Sequence, residues 1–288
     1  MNKTLILDGA VGTELIRRGL KLPLPLWSAS ANISHPEIIT EIHQDYINAG
    51  SNIITTNTFR TTCWTYKKLG YGYKTAKIKA KESLDRAINC AQNTKGASMI
   101  AGSITTIEDC YKPEMFPGKN VAEDHYNDLI NQMKSRGIKL LLFETMGNFD
   151  EIKIVLDISK SKKIDVWLSL ILKNEFNLLD GSSLKKTINL INQYNVKILL
   201  NNCNKLNSNF NGIDYLKSNW KGKWGVYPNL GITEYSNDYF LRVDRNILIS
   251  KIRKIINRNP DVIGLCCGST INDIKLIKQI MEEKLNES

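Results

Sequence analysis

No apolar run among the 288 residues is long enough to cross a bilayer, which excludes a helical membrane protein. The opening MNKTLILDG leads directly into a strand-like segment and lacks signal-peptide architecture, so a cytoplasmic setting is expected. No block of basic residues accounts for the net charge of +10, because the lysines are spread along amphipathic stretches such as TAKIKAKESLDRAINC. Neither a nucleic acid nor a membrane surface is therefore expected as a partner, and self-association into a homo-oligomer is left open. Low-complexity segments, linkers and internal repeats are also missing. One domain covering residues 1–288 follows, long enough to bury a sizeable core. The six cysteines form no short-domain disulfide framework, as befits a reducing compartment that keeps thiols free for metal or catalysis.

What is present is an alternation of strand-like and helix-like segments. Eight apolar runs read as strands, at residues 4–7, 52–55, 99–101, 140–143, 166–171, 196–200, 223–226 and 262–265. Helical patterns fall between and after them, at 12–18, 36–49, 74–92, 122–136, 149–159, 182–193, 212–218, 246–258 and 271–284. Pro36 marks a helix start, where its missing donor costs nothing; Gly50 and Gly137 mark helix ends. The strands show little alternation, as expected when both faces are covered. Eight such units at this length predict an α/β fold, a single (β/α)8 barrel. A doubly wound open sheet is the second architecture that the pattern allows.

Catalytic groups of a (β/α)8 barrel gather at the C-terminal ends of the strands. There the chain carries Asp8 and Gly9, Thr56, Glu144, Asn202 and Cys203, Asn229, and the adjacent pair Cys266 and Cys267. Neighbouring cysteines do not readily bridge each other, because a disulfide would strain the peptide between them. They can share a metal if the strand ends at that point, and Gly268 permits the irregular turn. Cys203, at the end of another apolar run, is the candidate third ligand. Zinc with three protein ligands keeps a fourth position open, which is the catalytic pattern. Two other readings of the same thiols remain: small buried side chains without a metal, and a redox centre. Cys63, Cys90 and Cys110 fall in helical or loop contexts and read as unligated; His35 and His43 lie on a helix and read as structural.

The order of DGAVGTEL at 8–15, LWSA at 26–29, HPEII at 35–39, AGSNIITTNTF at 49–59, AGSI at 101–104, ETM at 144–146, NC at 202–203 and CCG at 266–268 resembles the homocysteine S-methyltransferases over nearly the whole chain. The resemblance implies a zinc-bearing barrel in which Cys203, Cys266 and Cys267 hold Zn2+ and homocysteine binds through sulfur at the open position. It further implies that Asp8 and Glu144 hold the amino group of homocysteine, while backbone amides of residues 9–12, beginning at Gly9, and around Thr56 take its carboxylate. Trp27 is either a wall of the donor site or a core aromatic, and Asn229 either hydrogen-bonds substrate or shapes a turn.

The implied reaction gives methionine by displacement of a methyl group from an onium donor, with S-methylmethionine and S-adenosylmethionine as first candidates. Some positions depart from the family pattern. Leu265 stands where a glycine is usual, and Leu200 where a small residue often precedes Asn-Cys. Arg60 follows Phe59 where betaine-dependent members carry an aromatic, and an arginine is a poor neighbour for a quaternary ammonium. The alternatives within this resemblance are a non-catalytic zinc-binding subunit or sensor and the homocysteine half of a corrinoid- or folate-dependent methionine synthase.

Overall fold

Eight parallel strands alternate with helices along the chain, and the computed structural model describes residues 4–97, 99–206, 210–231 and 241–286. The first three residues of the N-terminal segment lie outside these. The strands are β1 (Leu5–Ile6), β2 (Ile53–Thr55), β3 (Met99–Ile104), β4 (Leu140–Met146), β5 (Asp165–Leu170), β6 (Val196–Lys205), β7 (Lys223–Asn229) and β8 (Val262–Ile263). Each pairs in parallel with its sequence neighbours, and β8 pairs with β1. A parallel bridge from Leu7 to Ile53 joins β1 to β2 and closes the ring. Two backbone bonds reinforce that closure, Asn52 N–H to Ile6 at 2.8 Å and Asp8 N–H to Ile53 at 3.0 Å. The fold is the expected (β/α)8 barrel and not the open sheet. Among the described residues, no helix is long and apolar enough to cross a membrane.

Closure explains the unbroken apolar runs. Successive side chains of a strand point to opposite faces, and here both faces are dry. Leu7, Ile53, Leu142, Ile198, Leu200 and Val262 pack together inside the barrel. Leu141, Phe143, Leu168, Leu199 and Ile263 pack outward with the helices. The bulk of Leu200 is accommodated by its neighbour across the ladder, Gly225, which pairs with both Leu200 and Val262. A Cβ there would lie 2.6 Å from the Val262 carbonyl and 3.0 Å from Leu200 Cδ2, so the glycine makes room for the leucine.

The helix signals operate as expected where they are local. Helix Pro36–Ala49 begins on its proline and stops at Gly50, whose φ of +117° only glycine adopts readily. Helix Leu184–Ile191 is shorter than its pattern because the Ser183 side chain caps it, accepting from the Lys186 amide. Strands β4, β6 and β7 run longer than their apolar stretches and continue into polar residues. Small elements without a sequence signal also occur: a 3-10 turn at Trp27–Ser30, helices Ala31–Ser34 and Cys63–Lys67, and an antiparallel hairpin of Leu172–Asn174 with Asn177–Leu178.

His43 on helix Pro36–Ala49 is fully buried, and neither ring nitrogen has a hydrogen-bond partner. Burial pushes its pKa down to about 4, from an unfolded value of 6.5. Between those values the unfolded chain binds the extra proton, so stability present above pH 6.5 is lost as pH falls toward 4. Replacing His43 with leucine should remove this term. Urea unfolding should show the stability difference shifting by roughly 3 kcal/mol in favour of His43→Leu between pH 7 and pH 3; a pH-independent difference would contradict it.

Candidate metal and substrate site

At the C-terminal mouth of the barrel lies a cavity of about 120 Å3. Its wall includes Asp8, Gly9, Gly12, Trp27, Thr56, Phe59, Ser103, Tyr111, Glu144, Thr145, Cys203, Tyr227, Leu265, Cys266 and Cys267. Eight of the ten residues singled out from the sequence thus meet at one place. Asn202 and Asn229 do not line the cavity: Asn202 is fully buried, and Asn229 approaches Cys203 Sγ with its Nδ2 at 3.8 Å while its Oδ1 accepts from the Gly231 amide at 2.7 Å.

Two interruptions of the sheet aim the functional groups inward. The β4–β5 register shifts between Phe143 and Met146, and the β6–β7 register shifts between Asn202 and Lys205. Thr145 and Cys203, inside these shifts, have φ of +59° and +55°, and Trp27 has φ of +51°. Left-handed backbone at non-glycine residues is costly, and it persists where surrounding structure holds it. All three of these residues touch the cavity. Gly9 and Gly12 serve it differently: a Cβ on Gly9 would lie 2.6 Å from Tyr46 Oη, and one on Gly12 would lie 2.7 Å from Trp27 Nε1.

The three thiols converge. Cys203 Sγ lies 2.9 Å from Cys266 Sγ and 3.7 Å from Cys267 Sγ, and the adjacent pair are 4.0 Å apart. A tetrahedral ion with metal–sulfur bonds of about 2.3 Å spaces its sulfurs roughly 3.8 Å apart. Two of the three edges meet that geometry, and the third is shorter while remaining well beyond a disulfide bond. Soft thiolates in this number suit a thiophilic divalent ion, so the donor set fits zinc. Tyr111 Oη is 3.0 Å from Cys203 Sγ. Hydrogen bonds from Cys266 and Cys267 hold the Cys203 thiol well below its ordinary pKa, and the same contacts raise the other two. Cys63 and Cys90 sit in helices, and Cys110 lies outside the three-thiol group although it precedes Tyr111.

Two carboxylates line the same cavity as the thiols. Asp8 accepts from the Thr55 amide at 2.8 Å and from the Thr55 hydroxyl. Burial raises its pKa well above the usual carboxylate range, and the nearby Glu144 adds to the rise. Glu144 accepts from the Ser103 hydroxyl, and Tyr227 Oη is 3.5 Å away. Burial again dominates, and its pKa is pushed up to about 7. Among the described residues, no lysine, arginine or histidine lines the cavity. Thr56 donates its own amide to the Ala101 carbonyl, so its hydroxyl is its group in play, accepting from the Ser103 amide at 3.0 Å.

Tyr111, Ser103 and the tie between Thr145 and Asn202 were not assigned roles from the sequence. Tyr111 stands on an irregular loop after β3, where no periodicity marks an inward residue. Ser103 lies within AGSI, yet only the barrel geometry puts its hydroxyl on Glu144.

Fold and site together define a (β/α)8 barrel whose rim gathers three thiols that could hold one metal ion beside two carboxylates. The family can be stated more closely, since the model for homocysteine S-methyltransferases matches residues 5–281. The chain belongs to that family and is a methyltransferase. It is similar to the homocysteine S-methyltransferase of Escherichia coli K12, with 27% identity over 245 residues covering 79% of this chain and 78% of that protein. Homocysteine S-methyltransferase 1 of Saccharomyces cerevisiae is 27% identical over 314 residues, covering 98% and 95%. The crystal structure of the E. coli homocysteine methyltransferase MmuM in its metallated form superposes with a TM-score of 0.80 at 25% identity, covering 96% of both chains.

If the three sulfurs share one ion, removing any of them should release it. The wild type is expected to retain about one metal ion per chain through desalting. Cys203→Ser, Cys266→Ser and Cys267→Ser should each retain almost none by elemental analysis; full metal content in any one of these variants would contradict the site.

Proposed function

We propose that this protein transfers a methyl group from a sulfonium donor to the thiol of homocysteine, giving methionine, with Zn2+ held by Cys203, Cys266 and Cys267. The observation that carries the reading is the convergence of three sulfurs, all within 4.8 Å of one another, in a cavity also lined by two carboxylates and, among the described residues, by no basic side chain. A homocysteine molecule offers the complementary groups, a thiol at one end and an ammonium at the other. We further take residues 1–288 as a single catalytic domain working in the cytoplasm, where reducing conditions keep the thiols available.

In this reading Asp8 and Glu144 bind the ammonium group, which supplies the positive charge their surroundings lack. Backbone amides of the stretch 9–12 take the carboxylate, apart from that of Ala10, which donates to Ser269 Oγ at 3.0 Å, and the Thr56 hydroxyl borders the same end. The chemistry a bound zinc ion supplies is a lowered thiol pKa at its open coordination position. Tyr111 donates to Cys203 and so restrains the charge of that sulfur, and Asn229 supports the same sulfur from behind. The acceptor sulfur then forms a bond to the methyl carbon as the donor's carbon–sulfur bond breaks. The electron pair leaves with the donor sulfur, which departs neutral. The protein's contribution to this step is alignment.

The donor chemistry follows from the remaining wall. Trp27, Phe59, Tyr111 and Tyr227 present aromatic surface to the cavity, which favours a cation by roughly 0.5–2 kcal/mol per well-placed face. Arg60 stacks over Phe59 with its guanidinium 5.5 Å from the ring centre, placing a positive charge next to that wall. A quaternary ammonium such as that of betaine depends on aromatic faces around it, and an arginine stands here where betaine-dependent members carry an aromatic, so we take the donor as a sulfonium. S-methylmethionine and S-adenosylmethionine are the two donors we name.

Incubating the zinc-loaded protein with homocysteine and each donor separately should yield methionine with at least one of the two. Absence of methionine with both, from folded and metal-replete protein, would refute the donor class. The Glu144 carboxyl adds a pH dependence. It is ionised above about pH 7 and becomes neutral as pH falls through that value, so attraction for the ammonium is lost on the acid side. KM for homocysteine should therefore rise below pH 7 in the wild type. Glu144→Gln should raise KM by roughly 10- to 100-fold at pH 8 and lose that inflection; an unaltered pH profile would remove Glu144 from amine binding.

A further inference from the structure

The two ends of the acceptor site hang on backbone bends that neither strand would adopt unaided. Thr145 follows Glu144 and has φ of +59°; Cys203 has φ of +55°; each lies within a register shift of its strand. Between the two bends lies a single side chain, Asn202, which is 0% exposed. Its Oδ1 accepts from the Thr145 amide at 2.9 Å and from Ser169 Oγ at 2.7 Å. Its Nδ2 donates to Thr145 Oγ1 at 2.9 Å. Strand β5 runs between β4 and β6, so Asn202 reaches across it, using Ser169 on β5 as a third anchor.

We propose that Asn202 is a positioning residue which sets the separation between the amine-binding carboxylate of Glu144 and the metal-ligating sulfur of Cys203. The geometry explains why one residue can do this. The bond from the Thr145 amide replaces the ladder contact that the register shift in β4 takes away, and leaving a buried amide unpaired would cost about 1–3 kcal/mol. The second bond, to Thr145 Oγ1, fixes the same residue from its side chain, so the bend cannot rotate about one contact. Because Cys203 is the next residue after Asn202, any shift of this amide displaces the thiol bend and the carboxylate bend relative to each other. A ligand held by both Glu144 and the metal site registers that displacement, while a ligand that makes no contact with Glu144 does not.

This inference rests on the acceptor reading above, and two thiols separate them. Homocysteine carries the ammonium and the thiol; 4-mercaptobutanoate is the same molecule without the amino group. Binding of each to zinc-loaded protein is measured by calorimetry, together with metal content and thermal melting. Wild type should favour homocysteine by roughly 10-fold or more, the worth of a charge-assisted contact. Folded, metal-replete Asn202→Ala should bind 4-mercaptobutanoate within about 3-fold of wild type and lose most of the homocysteine preference. If the preference survives intact, or if both ligands weaken equally, the positioning role is overturned. A wild type without the preference refutes the acceptor reading itself and takes this proposal with it. Should Asn202→Ala fail to fold, Thr145→Val deletes only the hydroxyl that accepts from Nδ2. The same ratio then decides, with a partial loss expected and an unchanged ratio contradicting the proposal.

Discussion

Five acidic groups face one cavity and, among the described residues, no basic side chain stands in its walls; that imbalance is what the rest of the structure serves. Asp8, Glu144, Cys203, Cys266 and Cys267 cannot all ionise in a space shielded from water unless cations enter with them. The protein alone answers by pushing protons back on. Glu144 rises to about 7, Asp8 rises well above its usual range, and two of the three thiols are raised while one is lowered. Such a pocket is primed for ligands that bring positive charge. In the proposed function a divalent ion relieves the thiols, an ammonium relieves the carboxylates, and a sulfonium meets the aromatic side chains of the wall.

Holding that arrangement requires a scaffold that does not yield. The barrel provides it by being dry on both faces, with an interior layer in which Gly225 makes room for Leu200 and an outer layer locked to the helices. Above this packed floor the strands depart from regular geometry. The costly backbone at Trp27, Thr145 and Cys203 occurs where side chains must be re-aimed toward the cavity. Rigid packing below and bent backbone above are therefore two parts of one design, since bends of this kind survive only when their surroundings over-determine them.

Much of this was legible in the sequence, for identifiable reasons. Eight apolar runs of the right length, separated by helical periodicity, carry the barrel because burial on both faces leaves an unbroken hydrophobic signal. The local stops at Pro36, Gly50 and Gly137 are equally direct, since each acts through its own backbone. The adjacent cysteines stood out because no ordinary strand or bridge accounts for them. Strand ends were less legible. Strand β6 continues through Asn201, Asn202 and Cys203 to Lys205, and hydrophobicity stops reporting at Leu200, where side chains turn from core to cavity. The contacts of Asn202, Ser103 and Tyr111 were illegible for a related reason: each depends on residues dozens of positions away that only closure of the ring brings near. Of the two leucines that depart from the family pattern, Leu200 belongs to the barrel interior, whereas Leu265 stands in the cavity wall with the cysteine pair.

The central claim is that the acceptor's sulfur joins three protein sulfurs around one ion. X-ray absorption at the zinc edge addresses it directly, because it reads the number and distance of sulfur neighbours. The zinc-loaded protein should show three sulfurs at about 2.3 Å with one lighter ligand, and homocysteine should convert that shell to four sulfurs. A shell that stays unchanged when homocysteine is bound, or that contains fewer than three sulfurs before it is added, would contradict the account.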